Sequence, residues 1–349
     1  MMKGFWQKKR VLVTGHTGFK GAWLCKILEH LGADVYGYAL APPTSPNIYD
    51  ICKPAAYSII GDVRDFDGLK SAFTLSRPEI VIHMAAQPLV LESYQNPKYT
   101  YEVNVMGTVN ILECARIIGG VHSFLNVTTD KVYLNLERNK GYTEDERLDG
   151  HDPYSNSKSC SELVTATYNR AFLRDGGTAV STVRSGNVIG GGDFSEKRII
   201  PDCARGAIAQ TPIYIRNPNS IRPYQHVLDT LFAYLLLAEA QYKNPDLASA
   251  YNIGPHEADC ISGGQLADKF CKAWGGGINW THQAMENPIE SIILQLDCTK
   301  IKNVLGWIPQ WQIDQAVEET AAWYKAYAKG NPNHVMEEQI KKFADFYGG

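Results

Sequence analysis

Short apolar runs alternate with longer stretches of helical periodicity over the first half of the chain. Arg10–Thr14 and Asp34–Ala39 are β-branched or aromatic at every second or every position, which predicts two strands. Ile59–Gly61, Ile80–Met84 and Ser123–Thr128 predict three more. Between them, Ala22–Leu31, Asp67–Thr74 and Val103–Ile118 carry apolar residues at helical spacing. This β-α-β-α order predicts an α/β fold, a doubly wound parallel Rossmann sheet with helices on both faces and ligands at the carboxyl ends of the strands. From about residue 180 the pattern loosens. Ala179–Ile189 predicts one buried strand, Gly190-Gly191-Gly192 a close turn, Val227–Gln241 a helix and Ala250–Gly254 a strand. Proline, glycine and tryptophan then become frequent, as in Gly306-Trp307-Ile308-Pro309. The expected organisation is a Rossmann domain over residues 1–180, with 226–255 returning to it. Residues 181–225 and 256–349 would form a smaller C-terminal substrate-binding lobe.

A length of 349 residues suits one large and one smaller unit. The net charge of −3 gives no footing for nucleic acid or an anionic membrane surface. Its longest apolar run, Leu231–Ala238, is less than half a bilayer span, and Lys8-Lys9-Arg10 precede too short an apolar stretch for a signal peptide. A cytoplasmic protein is expected. The eight cysteines are scattered without a C-x-x-C pair or a Cys–His spacing suited to zinc, so reduced thiols and no metal site are expected.

Gly15, Gly18 and Gly21 form a G-x-x-G-x-x-G pattern between a predicted strand and a predicted helix. Such a loop lets the backbone approach a pyrophosphate at the positive end of the helix. The second strand ends in Gly37-Tyr38-Ala39-Leu40-Ala41, without the acid that clamps a ribose or an Arg for a 2′-phosphate, so local chemistry leaves NAD and NADP open. Asp62 is placed to accept from an adenine amine, or to cap the helix that follows.

Tyr154 and Lys158 lie four apart and share one helix face. An ammonium beside a phenol favours the phenolate, which makes Tyr154 a candidate general base. Thr129 ends a predicted strand and can bond the same substrate hydroxyl. Asp130 and Lys131 add an acid and a base, more than hydride transfer alone requires.

With these residues in place, the chain resembles the extended short-chain dehydrogenase/reductase superfamily over essentially its whole length. Within it the chain is most similar to the CDP-glucose 4,6-dehydratase group. The segments that carry this are Thr14–Gly21, His83–Val90, Asn104–Thr108, Asp152–Lys158, Gly186–Asp193 and Arg216–Val227. The resemblance implies NAD as cofactor, held by Thr14, Gly15, Thr17, Gly18, Phe19, Lys20, Gly21, Asp62, Val63, Ala85, Ala86, Gln87, Asn104, Thr128, Tyr154 and Lys158. It implies a sugar-nucleotide substrate, CDP-glucose, held by Gln87, Asn187, Arg198, Arg216, Arg222 and His226. Tyr154, assisted by Thr129, would deprotonate the hydroxyl on sugar carbon 4 as that carbon's hydride passes to NAD. Water would then leave from carbons 5 and 6, and the hydride would return to carbon 6. Lys131 stands where related dehydratases carry Glu; as the carbon-5 base it must be neutral when it acts. Asp130 would protonate the leaving hydroxyl, which needs a carboxyl that keeps its proton. Leu91-Glu92 and Leu134 depart from the group pattern and bear on the sugar and nucleotide.

A sugar-nucleotide 4-epimerase shares Thr, Tyr and Lys but gains nothing from an acid and a base at 130 and 131. A non-catalytic NAD-binding regulator has no need of the complete set. The superfamily resemblance also implies a homodimer through a helix bundle formed by Val103–Ile118 and Ser157–Phe172.

Overall fold

The computed structural model describes residues 2–283 and 293–348. Seven parallel strands form the central sheet: β1 (Arg10–Thr14), β2 (Asp34–Ala39), β3 (Tyr57–Ile60), β4 (Ile80–His83), β5 (Ser123–Val127), β6 (Ala179–Ser185) and β7 (Ala250–Ile253). Their spatial order is β7-β6-β5-β4-β1-β2-β3. The α/β doubly wound class expected from the alternation is therefore borne out. Burial follows position in the sheet: β4, β5 and β6 are buried at every residue, whereas edge strand β3 is largely exposed. The order reverses between β1 and β4, and Thr14 pairs with His83 there, so two strand tips end level at the crevice where such folds bind ligands.

Two apolar clusters sandwich the sheet. One joins α1 (Phe19–His30) and α5 (Val227–Lys243) to the inward residues of β1, β4 and β5. The other joins α2 (Phe66–Ser76) and α3 (Gly107–Ile118) to the opposite side chains, among them Leu12, Val81 and Phe124. The first cluster runs without a break into the C-terminal helices α6 (Gly263–Trp274), α7 (Ile313–Ala328) and α8 (Pro332–Gly348), reaching Phe270, Trp323 and Phe343. The C-terminal part of the chain thus shares one core with the sheet. Short strand pairs shape it: Val188–Ile189 with Gln225–His226, Ile221–Pro223 with Cys260–Ser262, and Ile213–Ile215 with Trp280–His282.

Three local departures from the periodicity matter for function. The expected strand Ala179–Ile189 breaks after Ser185. A Cβ on Gly186 would stand 2.6 Å from Pro223 Cγ, so the backbone leaves the sheet there by a close approach only glycine allows. The expected helix Val103–Ile118 begins instead as a π-helical turn, Glu102–Met106, which continues into α3 and buries Asn104. The helix after β3 is capped by the carboxylate of Asp65, which accepts from Gly68 N at 3.1 Å, and not by Asp62. Among the described residues no helix is long and apolar enough to cross a membrane.

Candidate active site

The glycine loop divides its labour. Gly15 sits at φ +75°, and a Cβ there would lie 2.8 Å from Ala85 N. At Gly21 a Cβ would lie 2.1 Å from Gly15 O. Both glycines are required by the fold itself. Gly18 is different: a Cβ would meet only Gly15 O, at 3.4 Å, an ordinary contact. Gly18 is also the N-cap of α1 and offers no side chain to the first helical amides. An uncapped helix start beside a residue whose missing side chain the protein does not need is a cradle for an anion.

Several polar side chains assigned to this wall are already engaged with the protein. Thr14 Oγ1 bonds His83 Nδ1 at 2.7 Å and accepts from Met84 N and Ala85 N, both at 3.1 Å. The Thr17 hydroxyl donates to Leu40 O at 2.8 Å. Gln87 donates to Thr100 Oγ1 at 2.8 Å and accepts from Leu89 N at 2.6 Å, so its amide is occupied at both ends. Asn104 clamps Gln87 through both backbone groups, at 2.9 and 3.1 Å. It reaches Ser157 at 2.9 Å as well, tying this segment to α4 (Pro153–Tyr168). Thr128 donates to Glu162. Asp62 is gripped by Arg64, at 2.7 Å from Nη2 and 3.0 Å from Nε, which lowers its proton affinity. Val63 is buried against Gly107, where a Cβ would come within 2.7 Å of its Cγ2. Phe19 is partly buried and faces Gly190.

On the opposite wall the functional groups converge. Pro153 at the first turn and the Asp152 carboxylate, which accepts from Ser155 N at 2.9 Å, start α4. Its inward face carries Ser155, Ser157, Ser159, Ser161 and Thr165 in place of apolar residues. Thr129 donates to Asp130 Oδ1 at 3.0 Å and lies beside the Tyr154 phenol. Lys158 is buried, and its ammonium donates to Val127 O at 3.1 Å. Asp130 is 1% exposed; its second oxygen has no partner among the described residues. That oxygen would lie 3.3 Å from a Cβ on Gly186, which puts the start of the Gly186–Asp193 segment beside the acid. Lys131 is half-buried next to it.

Burial dominates the proton affinities. It pushes Tyr154 up to about 12, assisted by the charges of Asp130 and Asp152 and opposed by the Thr129 hydrogen bond and by Arg198. Desolvation brings Lys158 down to about 7, with Lys20 adding to the effect and Glu162 opposing it. Lys20 is brought down to about 8 by burial and by Arg198, and its ammonium stands 5.9 Å from the centre of the Tyr234 ring. Release of the Tyr154 proton therefore calls on positive charge beside the phenol, the part expected of Lys158 together with a positive nicotinamide. Asp130 is shifted upward by burial against the pull of Lys131, Thr129 and Arg222, as an acid that keeps its proton requires.

The groups assigned to the sugar nucleotide separate. Arg198 pairs with Asp193 at 3.1 Å and stays partly exposed near Lys20 and Tyr154. Arg222 is buried within electrostatic reach of Asp130. Asn187 accepts from Gln225 N at 3.0 Å through its backbone. Arg216 donates to Lys197 O at the rim. His226 is fully buried, caps α5 by accepting from Leu228 N at 3.3 Å, and packs 4.6 Å from Trp311. Burial holds it neutral.

Two residues outside the sequence-based set lie directly behind the reacting groups. Glu162 continues the Tyr154–Lys158 spacing by four residues, and Arg184 pairs with it at 2.9 Å. The i, i+4, i+8 pattern was the available signal for Glu162; nothing local marks Arg184.

The sequence profile of the GDP-mannose 4,6 dehydratase family matches residues 12–320. The chain belongs to this family. A CDP-glucose 4,6-dehydratase from Salmonella typhimurium is 43% identical over 336 residues, 94% of each chain. Two solved structures share the fold of this family member. A dTDP-glucose 4,6-dehydratase from Bacillus anthracis, in complex with NAD, aligns with a TM-score of 0.77 over 92% of this chain and 98% of its own, at 20% identity. A UDP-glucose 4-epimerase from Thermus thermophilus, also with NAD, aligns at 0.79 over 90% and 98%, at 24% identity.

Proposed function

We propose that this dehydratase-family member converts CDP-glucose to CDP-4-keto-6-deoxyglucose and water, using NAD. One observation carries the reading: a buried Asp130, whose proton affinity burial raises, and an adjacent Lys131 stand beside the Thr129/Tyr154/Lys158 set. An epimerase has no use for that acid and base. The 43% identity to a CDP-glucose 4,6-dehydratase over nearly the whole chain supports the same choice.

The cradle at Gly18 fits a dinucleotide pyrophosphate, with Gly15 to Gly21 and the 85–87 segment around it. Bound there, NAD supplies a reversible hydride acceptor and a positive ring. Tyr154 takes the proton of the carbon-4 hydroxyl, with Thr129 orienting that hydroxyl. Once carbon 4 is a ketone, the carbon-5 proton is acidic and Lys131 removes it. Asp130 delivers its proton to the carbon-6 hydroxyl, whose C–O bond breaks to release water; the stored hydride would then return to carbon 6 and the Lys131 proton to carbon 5, giving the 6-deoxy sugar. Arg198 and Arg222 provide planar donors for the substrate diphosphate. We also infer a cytoplasmic homodimer through α3 and α4, whose outward Ile117 and Leu163 are 41% and 57% exposed.

Purified protein incubated with CDP-, UDP-, GDP- and dTDP-glucose and then made alkaline tests the assignment. 4-Keto-6-deoxy products absorb near-ultraviolet light in base, and the CDP sugar is expected to react fastest. Recovery of an unmodified hexose epimer, or of untouched substrate, overturns the reading.

A further inference from the structure

A buried ion pair lies one layer behind the reacting groups. The side chains of Glu162 and Arg184 are 3% and 4% exposed. Four bonds engage the carboxylate. Oε1 accepts from Arg184 Nε at 3.0 Å and from the Thr128 hydroxyl; Oε2 accepts from Arg184 Nη2 at 2.9 Å and from Thr182 Oγ1 at 2.7 Å. The remaining guanidinium nitrogen donates to Tyr133 Oη at 2.8 Å and Glu144 O at 2.9 Å. Tyr133 in turn donates to Asn252 Oδ1 at 2.6 Å. One network therefore joins the tip of β5, the catalytic helix α4, β6, the segment after Lys131, and β7.

Stability alone is a poor reason for such a pair. Well-packed apolar residues of similar volume do as well or better, because the desolvation of two charges offsets their attraction. What an apolar pair cannot do is fix a direction. Thr128 immediately precedes Thr129 and Asp130, and Glu162 lies one turn beyond Lys158, so its bonds set the separation between the two elements that carry the chemistry. Lys158 is faced by Lys20 from α1, by His83 from β4 and, on its own helix, by Tyr154 and Glu162. His83 is held neutral by burial, down to about 3. Lys20 is a cation, and Tyr154 is a neutral phenol. Glu162 is the negative charge in this set.

We propose that Glu162, anchored by Arg184, is a positioning residue: it locks the end of β5 to α4 and keeps a fixed negative charge behind the Lys158 ammonium. The inference rests on the dehydratase reading for its kinetic consequences, but not for its electrostatic one. Replacing Glu162 removes the charge that helps Lys158 retain its proton and loosens the strand tip that aims Thr129 and Asp130.

The test uses the full chain and two measurements. Competitive acetylation of Lys158 against pH, read by mass spectrometry, needs no substrate. Its midpoint is expected to fall by about one pH unit in Glu162→Gln. Turnover of CDP-glucose is expected to drop by roughly tenfold to a hundredfold with KM little changed, as for a small misplacement of reacting groups. Glu162→Asp should bring the acetylation midpoint back toward wild type. Because Glu162→Gln leaves Arg184 unpaired, the Glu162→Gln/Arg184→Met double variant removes both charges, and its midpoint is expected to fall in the same direction by less than in Glu162→Gln. An unmoved midpoint together with unchanged kcat per folded molecule overturns the proposal. A wild-type protein that leaves CDP-glucose untouched overturns the dehydratase reading instead, and the acetylation measurement still decides this one.

Discussion

The two walls of the cleft are built on opposite principles. Along the glycine loop and the 85–87 segment, polar side chains such as Thr14, Thr17 and Gln87 bond to the protein and leave backbone amides to meet a ligand. Along the β5–α4 wall the reactive side chains are buried or half-buried but keep unused capacity, most clearly at the Asp130 oxygen that has no partner among the described residues. Recognition by backbone tolerates changes of side chain as long as the turn survives. Chemistry by side chain does not, because each group performs one proton transfer at one place.

The largest effect should come from the chemical wall. Tyr154→Phe keeps the ring packing and removes the hydroxyl, so kcat for CDP-glucose should fall by about 10³-fold, within the range for loss of a general base. A loss under tenfold would contradict the assignment. Asp130→Asn preserves the shape but delivers no proton, and a fall of about 10²-fold is expected, read as water loss by the alkaline absorbance. In Lys131→Met, exchange of the carbon-5 proton with deuterated solvent should vanish while oxidation at carbon 4 survives. Retained exchange would sink that role.

On the recognition wall two glycines sharpen the contrast. Gly21→Ala puts a Cβ 2.1 Å from Gly15 O and should destabilise the protein by about 1–3 kcal/mol in a denaturant titration. Gly18→Ala should leave that stability nearly unchanged but weaken NAD binding measured by calorimetry. Equal behaviour of the two would erase the distinction drawn between them.

Smaller still is a thermal effect at Lys158. Its proton affinity is brought from the ordinary 10.5 down to about 7, so between those values the unfolded chain binds more protons than the folded one. Stability contributed through this group therefore rises with pH across that window. Lys158→Met should lack that rise and unfold at a higher temperature than wild type at pH 7, the gap closing toward pH 10.5, as scanning calorimetry would show. The mutant should be inactive all the same. Least affected should be Thr17→Val, whose hydroxyl serves only Leu40 O among the described residues; its KM and kcat should stay within about threefold.

The same contrast explains what could be read from the residues. Strands β1 and β2 match their expected limits because periodicity and burial agree there. The glycine loop and the Tyr154/Lys158 pair are local patterns, so they too were legible. α4 hides better, since its buried face is made of hydroxyl groups and carries little hydrophobic signature. Glu162–Arg184 joins residues on a helix and a strand that no periodicity relates. Asp62 and His226 show the converse. Each sits in a motif, yet Arg64 holds the first and the Trp311 ring covers one face of the second.

β7 closes the sheet only after the chain has left it at Gly186 and come back through α5, and the chain then leaves again toward α6. The polypeptide is stitched back and forth across the cleft, so no single cut separates a cofactor half from a substrate half. Such a protein cannot exchange its specificity as a cassette in recombination. A change of preferred sugar nucleotide has to come by individual replacements in the stitches themselves, while the shared core stays in place.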